Sequence, residues 1–267
     1  MENSKKEDSQ ISSQDSSAGF KLDELELAME QMLKAGVHFG HKKSSWNPKM
    51  KPYIFSARSN INIIDLEKTL ALLEKAIDFA KNIVGNGGRI LFVGTKPQAK
   101  KLIEEMAMLA GMPYVSNRWL GGTFTNFPEI KKRLKYLNEQ EEKLSKGELE
   151  KYTKYEQLVI KKEIERMNEK MGGIKKMEAL PQAIFVADAK ENALAIREAR
   201  KMKIPIIAIV DTNVDPDGVD YPIPGNDDAL SSLRYIVGIV AKNIEGARAQ
   251  IKNKAVVKEN ELNELKK

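Results

Sequence analysis

The sequence predicts an α/β fold in which helices cover both faces of a parallel sheet. Short runs of apolar, mostly β-branched residues lie at Ile90–Val93, Ala183–Val186 and Ile206–Val210, and they alternate with segments whose apolar residues have helical spacing. Strands that are buried on both faces read as continuous apolar runs, and parallel strands are usually joined by helices. These two observations together indicate the α/β class.

The amino-terminal elements are predicted from periodicity and from turn residues. Residues 23–35 have the pattern of a short amphipathic helix, and Gly36 follows in the position typical of a residue just past a helix end. Residues 53–56 and 60–64 are expected to pair as a small hairpin that turns around residues 58–59.

The remaining elements follow in order along the chain. A long helix is expected to begin at Asp65, which is suited to be its cap, and to end at the glycines that start at residue 85. Later elements are predicted as a strand at 90–93, a helix at 97–110, strands at 112–115 and 183–186, a helix at 191–202, a strand at 206–210 and a helix at 228–246. The carboxyl ends of such strands form the functional edge of the sheet. Here they carry residues 94–96, Asp188 and residues 211–213.

A segment of different composition interrupts this pattern at residues 128–177. It is largely Lys, Glu, Leu and Ile, and its apolar residues fit two heptad seams on either side of Gly147. Thr153 and Glu156 have the spacing of a capping box for the second helix. We therefore expect an inserted antiparallel coiled-coil hairpin, either a solvated spacer or a docking arm. It would divide an α/β domain into two parts, which lie at residues 21–127 and 178–246.

The composition is that of a basic chain without cysteine. The 267 residues carry a net charge of +6, but the first 40 carry −4, which leaves +10 on the remainder. This asymmetry predicts an acidic leader on a body that binds polyanions. The lack of cysteine excludes disulfides, thiolate zinc sites and cysteine nucleophiles, and it fits a reducing cytosol. We expect a disordered leader at residues 1–20, a polar tail at residues 247–267, no membrane partner and a cytoplasmic location.

Residues 41–62 combine one sign of charge with several aromatic rings. This stretch contains five Lys or Arg residues and three aromatic residues, and no acid appears before Asp65. Cationic side chains neutralise phosphates, and flat rings stack on unpaired bases. The segment therefore predicts a contact with nucleic acid, the alternative being a basic loop that only keeps the protein soluble. The candidate RNA-binding residues here are Lys42, Lys43, Trp46, Asn47, Lys49, Lys51, Tyr53 and Arg58.

Other interpretations place small-molecule chemistry at the strand ends. Residues 94–96 follow a strand but lack the spacing of a phosphate-binding P-loop, and no dinucleotide fingerprint opens a helix. An enzyme or regulator that binds a nucleotide or a sugar phosphate is nevertheless the rival function. Lys96 could hold a phosphate beside a helix start, including one of RNA, or lie exposed in a plain turn. His38 and His41 could share a metal with Asp188 and Asp211, or take part in loop packing or hydrogen bonding.

The segment from Arg118 to Phe127 is a second unusual stretch. It contains Trp119, two Phe residues and a pair of glycines beside the arginine. Trp119 is expected to anchor the core, with base stacking as the alternative. Arg118 is the better candidate for an RNA contact, because a guanidinium group can bind one phosphate with two hydrogen bonds.

These motifs resemble the bacterial small-subunit ribosomal protein S-two family over about residues 21–245. The matching segments are MLKAGVHFGH (32–41), WNPKM (46–50), NINIIDLEKT (60–69), FVGTK (92–96), NRWLGGTFTN (117–126), residues 181–205, VDTN (210–213) and YPIPGNDDA (221–229).

The resemblance implies a flavodoxin-like domain with an inserted coiled-coil hairpin, and a structural role without catalytic residues or cofactors. It implies binding to small-subunit rRNA at the junction of head and body, among neighbouring small-subunit proteins. It also implies help in recruiting the mRNA-binding ribosomal protein S-one. We therefore predict a ribosomal protein of the cytoplasm that contacts rRNA chiefly through the basic segment, with Lys96 and Arg118 as secondary candidates.

Overall fold

The computed structural model describes residues 22–264, with side chains described for residues 26–148 and 151–251. The leader predicted at residues 1–20 lies outside this range. The main elements are α1 (Leu22–Ala35), β1 (Phe39–Lys42), β2 (Ile54–Arg58), β3 (Ile61–Ile64), α2 (Leu66–Gly85), β4 (Ile90–Val93), α3 (Pro97–Ala110), β5 (Tyr114–Val115), α4 (Phe127–Ser145), α5 (Lys154–Met171), β6 (Ala183–Val186), α6 (Ala193–Lys201), β7 (Ile206–Val210), β8 (Tyr221–Pro224) and α7 (Leu230–Glu264).

The larger sheet has five parallel strands in the order β5-β4-β6-β7-β8. Numbered along the chain within this sheet, the order is 2-1-3-4-5, which is that of flavodoxin-like doubly wound sheets. The prediction of an α/β fold with a parallel sheet is confirmed. The order reverses between β4 and β6, so the residues that follow these strands meet at one edge.

Two apolar clusters cover the two faces of this sheet. Ile90 and Phe92 of β4 belong to the cluster that includes residues of α2, α3 and α7. Leu91 and Val93 belong to the opposite cluster, which includes Trp119 and residues of α6. Successive residues of a strand point to opposite faces, so a strand between two helix layers must be apolar throughout. This is why the sheet strands could be recognised from their sequence.

A smaller antiparallel sheet of order β1-β3-β2 is built from the amino-terminal segment. The predicted hairpin is confirmed, but its turn lies one residue later than expected, at Ser59 and Asn60, whose φ values of 49° and 65° are those that a tight hairpin turn requires. Strand β1 was not predicted. Its Gly40 lies so close to the end of β7 that an added Cβ would come within 2.6 Å of Thr212 Cγ2.

Most predicted helix boundaries agree with the structure. Asp65 caps α2, since its side chain accepts a hydrogen bond from Lys68 N at 3.4 Å. Thr153 and Glu156 form the predicted capping box at the start of α5. α7 runs on to Glu264, past the end expected at Gly246, because this glycine does not adopt the left-handed backbone that closes a helix.

α4 and α5 occupy the inserted segment, as the heptad pattern indicated. Ile130, Leu134 and Leu137 of α4 are buried, as are Ile164 and Met171 of α5. Asn168 donates a hydrogen bond to the carboxylate of Glu141, which links the two helices. A coiled-coil arrangement of this pair stays a prediction. None of the helices in the described part of the chain combines the length and apolarity needed to cross a lipid bilayer.

Candidate nucleic-acid interface

The basic amino-terminal segment is fastened to the carboxyl end of β7. His41 N donates to Thr212 Oγ1 at 2.8 Å, and Asn47 N donates to Thr212 O at 2.7 Å. The Asn47 side chain accepts a hydrogen bond from Lys49 N at 3.0 Å and caps the short 3₁₀ helix Pro48–Tyr53. The edge of the sheet where many α/β proteins bind ligands is therefore covered by the chain itself.

Four exposed cations on this segment, Lys42, Lys43, Lys51 and Arg58, form what we call the amino-terminal basic surface. Among the residues whose side chains are described, none of the four has a carboxylate within 4.0 Å. Lys43 and Lys51 line a cleft of about 240 Å³ together with Trp46. Unpaired cations beside a ring are what a phosphate and its neighbouring base require.

The aromatic residues of the segment divide between packing and exposure. Trp46 and Tyr53 are half-buried, and Tyr53 packs against the apolar cluster that contains Trp119. Phe55, by contrast, is 76% exposed on β2. Only Phe55 therefore presents most of its surface to solvent. Tyr53 supports the segment from within, and Trp46 presents a partly covered ring to the cleft.

Lys49 differs from the other cations because carboxylates neutralise it. Its Nζ lies 2.8 Å from Asp215 Oδ2 and 2.5 Å from Asp217 Oδ2. Hydrogen bonds to Asp215 and then to Asp217 raise the pKa of Lys49. The prediction that Lys49 contacts RNA is untested, but its charge is already balanced, so a phosphate would have to compete with two acids.

Lys96 lies at the centre of an ion cluster formed by residues that follow β4, β6, β7 and β8. Its Nζ is 2.8 Å from Asp188 Oδ2, 2.8 Å from Asp227 Oδ1 and 2.9 Å from Asp228 Oδ1. The alternative of an exposed lysine in a plain turn is wrong, since only 18% of the side chain is exposed. An RNA phosphate could reach this ammonium group only by displacing a carboxylate. The prediction that Lys96 binds RNA stays untested, and the geometry does not support it.

His41 belongs to the same cluster. Its Nδ1 is 3.1 Å from Asp211 Oδ2, and its Nε2 is 3.4 Å from Asp228 Oδ2. The hydrogen bond to Asp211 raises the pKa of His41 more than burial lowers it. Burial, with the charges of Asp188 and Asp211, raises the pKa of Asp227 to about 7, although Lys96 opposes this shift. The cluster thus holds more carboxylates than cations, and protons bound to its titratable groups offset part of the excess negative charge.

One group in this cluster has residue types suited to a metal ion. His41, Asp227 and Asp228 each offer a ligand atom within 4.8 Å of the others. Imidazole and carboxylate donors fit zinc or a similar divalent cation. Such an ion would compete with Lys96 for both aspartates. His38 is not part of the group: its ring packs against Phe39, and burial lowers its pKa.

The loop between β5 and α4 is organised by a buried carboxylate, that of Glu198. It accepts hydrogen bonds from Gly122 N at 2.8 Å, Phe124 N at 3.0 Å and Thr125 N at 3.2 Å, and also from Trp119 Nε1. Burial raises the pKa of Glu198, but the backbone N–H donors outweigh it and the net effect is a lowered pKa. Trp119 is buried against Phe124, as the core-anchor prediction expected, while Arg118 is exposed.

The roles of Glu198, Asp227 and Asp228 were not predicted from the sequence. Glu198 had a usable signal, because it interrupts the buried Ala195, Ile196 and Ala199 face of α6. A charged residue on a buried helix face indicates a specific partner. Asp227 and Asp228 carried no such signal, since their loop reaches Lys96 only through the sheet topology.

The chain matches a model of one protein family, described as ribosomal protein S2, over residues 32–247. A relative from Roseiflexus sp. (strain RS-1), named small ribosomal subunit protein uS2, is 51% identical over 215 residues, which cover 80% of this chain and 82% of the relative. A protein of the same name from Mycobacteroides abscessus is 50% identical over 225 residues, covering 84% of this chain and 81% of its own length.

Proposed function

The chain belongs to the ribosomal protein S2 family of structural, non-enzymatic constituents of the small ribosomal subunit, and from this premise we propose that it binds small-subunit rRNA through the amino-terminal basic surface. A protein of the ribosome is surrounded by rRNA and other ribosomal proteins. The surface it turns to rRNA should carry cations that its own carboxylates do not neutralise.

One observation carries this proposal. Within the same segment, Lys49 is paired with carboxylates while Lys42, Lys43, Lys51 and Arg58 have no such partner among the described side chains. Pairing with an acid removes most of the electrostatic gain from a phosphate contact. The four unpaired residues therefore contribute most of the binding, and Lys49 little.

The contacts should read the shape of the RNA more than its base sequence. Phosphate and sugar contacts position a protein but carry little sequence information. Trp46, which lines the cleft between Lys43 and Lys51, and the exposed Phe55 offer rings to an unstacked base. Arg118 lies on an exposed loop braced by Glu198 and is a secondary phosphate contact.

Four finer assignments rest on the family resemblance. The protein binds at the junction of head and body and helps to recruit ribosomal protein S-one, and α4 and α5 form a coiled-coil hairpin. It works in the cytoplasm as part of the ribosome. The recruitment is tested by adding ribosomal protein S-one to small subunits with and without this protein. Equal co-sedimentation of ribosomal protein S-one in the two samples would contradict it.

The rRNA proposal is tested by measuring the salt dependence of rebinding to small subunits depleted of this protein. The test variant changes Lys42, Lys43, Lys51 and Arg58 to Gln. The matched control changes four exposed lysines on α2, α3 and α7 to Gln, namely Lys75, Lys81, Lys101 and Lys242. Each lost phosphate contact should flatten the log–log slope by about 0.7–0.9, and the whole set by about 3.

If the test variant has the same salt slope as the wild-type protein, the amino-terminal basic surface does not bind rRNA. An equal loss in the control variant would also contradict it, because the effect would then follow net charge. Lys49→Gln, measured alone, should change the slope by much less than Lys43→Gln, since the ammonium group of Lys49 is already paired.

A further inference from the structure

A second basic cleft lies at the opposite, amino edge of the large sheet. It has a volume of about 850 Å³ and is formed by the ends of α2 and α3, the segment 172–176 and α7. Its charged lining residues are Arg89, Lys175, Lys176 and Arg248, and no carboxylate lines the described part of it. We call it the amino-edge cleft.

Two arginines of the cleft are oriented by backbone carbonyls, and neither has an ion pair with a carboxylate among the described side chains. Arg89 Nη1 donates to Lys176 O at 2.8 Å, and Arg248 Nη1 donates to Ala110 O at 3.3 Å. A neutral carbonyl fixes the guanidinium plane and leaves its other N–H groups and its charge available. Lys175 is different, because its Nζ lies 2.6 Å from Glu141 Oε1.

The floor of the cleft is glycine-rich and tightly fitted. Gly111 has φ of +64°, and a Cβ added there would come within 1.3 Å of Arg248 Nη1. A Cβ added at Gly173 would come within 2.2 Å of Tyr114 O. The absence of side chains at these points lets Arg248 lie against the end of α3, and it lets a bound backbone come close to the protein.

We propose that the amino-edge cleft is a second contact with rRNA, made by phosphates on Arg89, Lys176 and Arg248. This inference rests on the proposed function only in taking rRNA as the ligand. An extended phosphodiester backbone fits an open cleft whose cations are spread along its wall, and the ring of Tyr114, which is half-exposed, lies among them. A ribosomal constituent also meets rRNA as its main polyanion.

The cleft and the amino-terminal basic surface lie at opposite edges of the large sheet. Arg89 precedes β4 and Lys96 follows it, so the two edges are separated by the length of a four-residue strand, about 13 Å at about 3.3 Å per residue. The amino-terminal basic surface lies at the carboxyl edge and the cleft at the amino edge. One phosphate cannot contact both surfaces, so each surface binds phosphates of its own.

The test uses the full chain and small subunits depleted of this protein. The variant Arg89→Gln/Lys176→Gln leaves Arg248 in place, because Arg248 also closes the end of α3. Lys75→Gln/Lys101→Gln is the control, with two exposed lysines removed from α2 and α3. Rebinding is measured over a range of salt, and the melting temperature of each variant is recorded.

A cross-linking experiment complements this measurement. A photoreactive p-azidophenylalanine replaces Met108, which lines the cleft and is 63% exposed.

The cleft variant should flatten the salt slope by about 1.5, at about 0.7–0.9 for each cation, with the control unchanged and position 108 cross-linked to rRNA. An unchanged slope in the cleft variant, with a flattened slope in the variant of the amino-terminal basic surface, overturns the cleft and leaves the proposed function standing. A flattened slope in the cleft variant, with an unchanged slope in the variant of the amino-terminal basic surface, supports the cleft and contradicts the proposed function. Cross-linking of position 108 to a ribosomal protein alone also overturns the cleft.

Discussion

Replacing Lys96 with Met should destabilise the protein, and the penalty should depend on pH. The change removes the cation that lies within 2.9 Å of Asp188, Asp227 and Asp228. The side chains of Asp188 and Asp227 are each 1% exposed, so water cannot replace the lost ammonium group there. Burial lowers the pKa of Lys96, but the three aspartates outweigh it and raise the pKa.

The size of the penalty follows from the burial of these acids. Removing one partner of a buried ion pair costs about 3–5 kcal/mol. Asp227 has a pKa of about 7 and is partly protonated at neutral pH, which lessens the uncompensated charge. Asp228 is 56% exposed and admits water on its side of the cluster. We therefore expect a loss of about 2–3 kcal/mol in the free energy of unfolding at pH 7, an order-of-magnitude figure.

The pH dependence has a definite sign. A carboxyl whose folded pKa is raised binds a proton that the unfolded chain has already released, so stability falls as pH rises from the unfolded to the folded pKa. In the wild-type protein Asp227 gives this behaviour between about pH 4 and pH 7. Without Lys96, which opposes this shift, the pKa of Asp227 rises further. The difference between variant and wild type should therefore shrink at pH 5 and grow at pH 8.

Urea unfolding of the two proteins at pH 5, 7 and 8 measures this difference. Lys101→Met is the matched control, because Lys101 is an exposed lysine on α3, the helix that directly follows Lys96, and its effect should stay within about 0.5 kcal/mol. A penalty that is constant with pH, or larger at pH 5, would refute the assignment of Lys96 as the counterion of buried acids.

Three other predictions concern the residues that hold the site in place. Glu198→Gln should lower the free energy of unfolding, measured with urea, by about 2–4 kcal/mol, because an NH₂ group would face the N–H groups now bound to the carboxylate. The difference from the wild type should become smaller as pH falls through the lowered pKa of Glu198. NMR titration should give His41 a pKa above the ordinary value, and Asp211→Asn should lower it. Gly40→Ala should lower the melting temperature, because a methyl group would meet Thr212, whereas Gly85→Ala, with open space around it, should not.

Each of these predictions has an outcome that contradicts it. A Glu198→Gln variant as stable as the wild type would mean that the loop finds other acceptors. A His41 pKa at or below its ordinary value would mean that the carboxylates around it do not act on the ring. Equal melting temperatures for the two glycine variants would show that the approach of β1 to Thr212 tolerates a side chain.

Sequence patterns predicted the large sheet well because its strands are buried on both faces. Continuous apolar runs gave β4, β6 and β7 their observed bounds, and the helix predicted at 97–110 matches α3. β8 was missed because its YPIP sequence contains two prolines, which cannot donate to a sheet ladder. The two prolines are tolerated because β8 lies at the edge of the sheet, next to β7.

The candidate site was predictable only in part, for an electrostatic reason. Charge composition marked residues 41–62 as a basic segment, and the exposed Lys42, Lys43, Lys51 and Arg58 agree with that pattern. It could not indicate which cations are neutralised, because the acids that bind Lys49 and Lys96 lie more than 90 positions away in sequence. Only the topology brings Asp215 and Asp227 to these lysines.

The geometry of β1 explains how one segment both meets the acid cluster and presents cations to solvent. Neighbouring residues of a strand point to opposite faces, and His41 faces Asp211 while Lys42 is exposed. A slip of one residue would turn Lys42 toward the buried aspartates and His41 toward solvent. The hydrogen bond from His41 N to Thr212 Oγ1 fixes the register against such a slip. Lys42 of the amino-terminal basic surface and His41 of the acid cluster are therefore neighbours on β1, and the exposure of Lys42 depends on the contacts of His41.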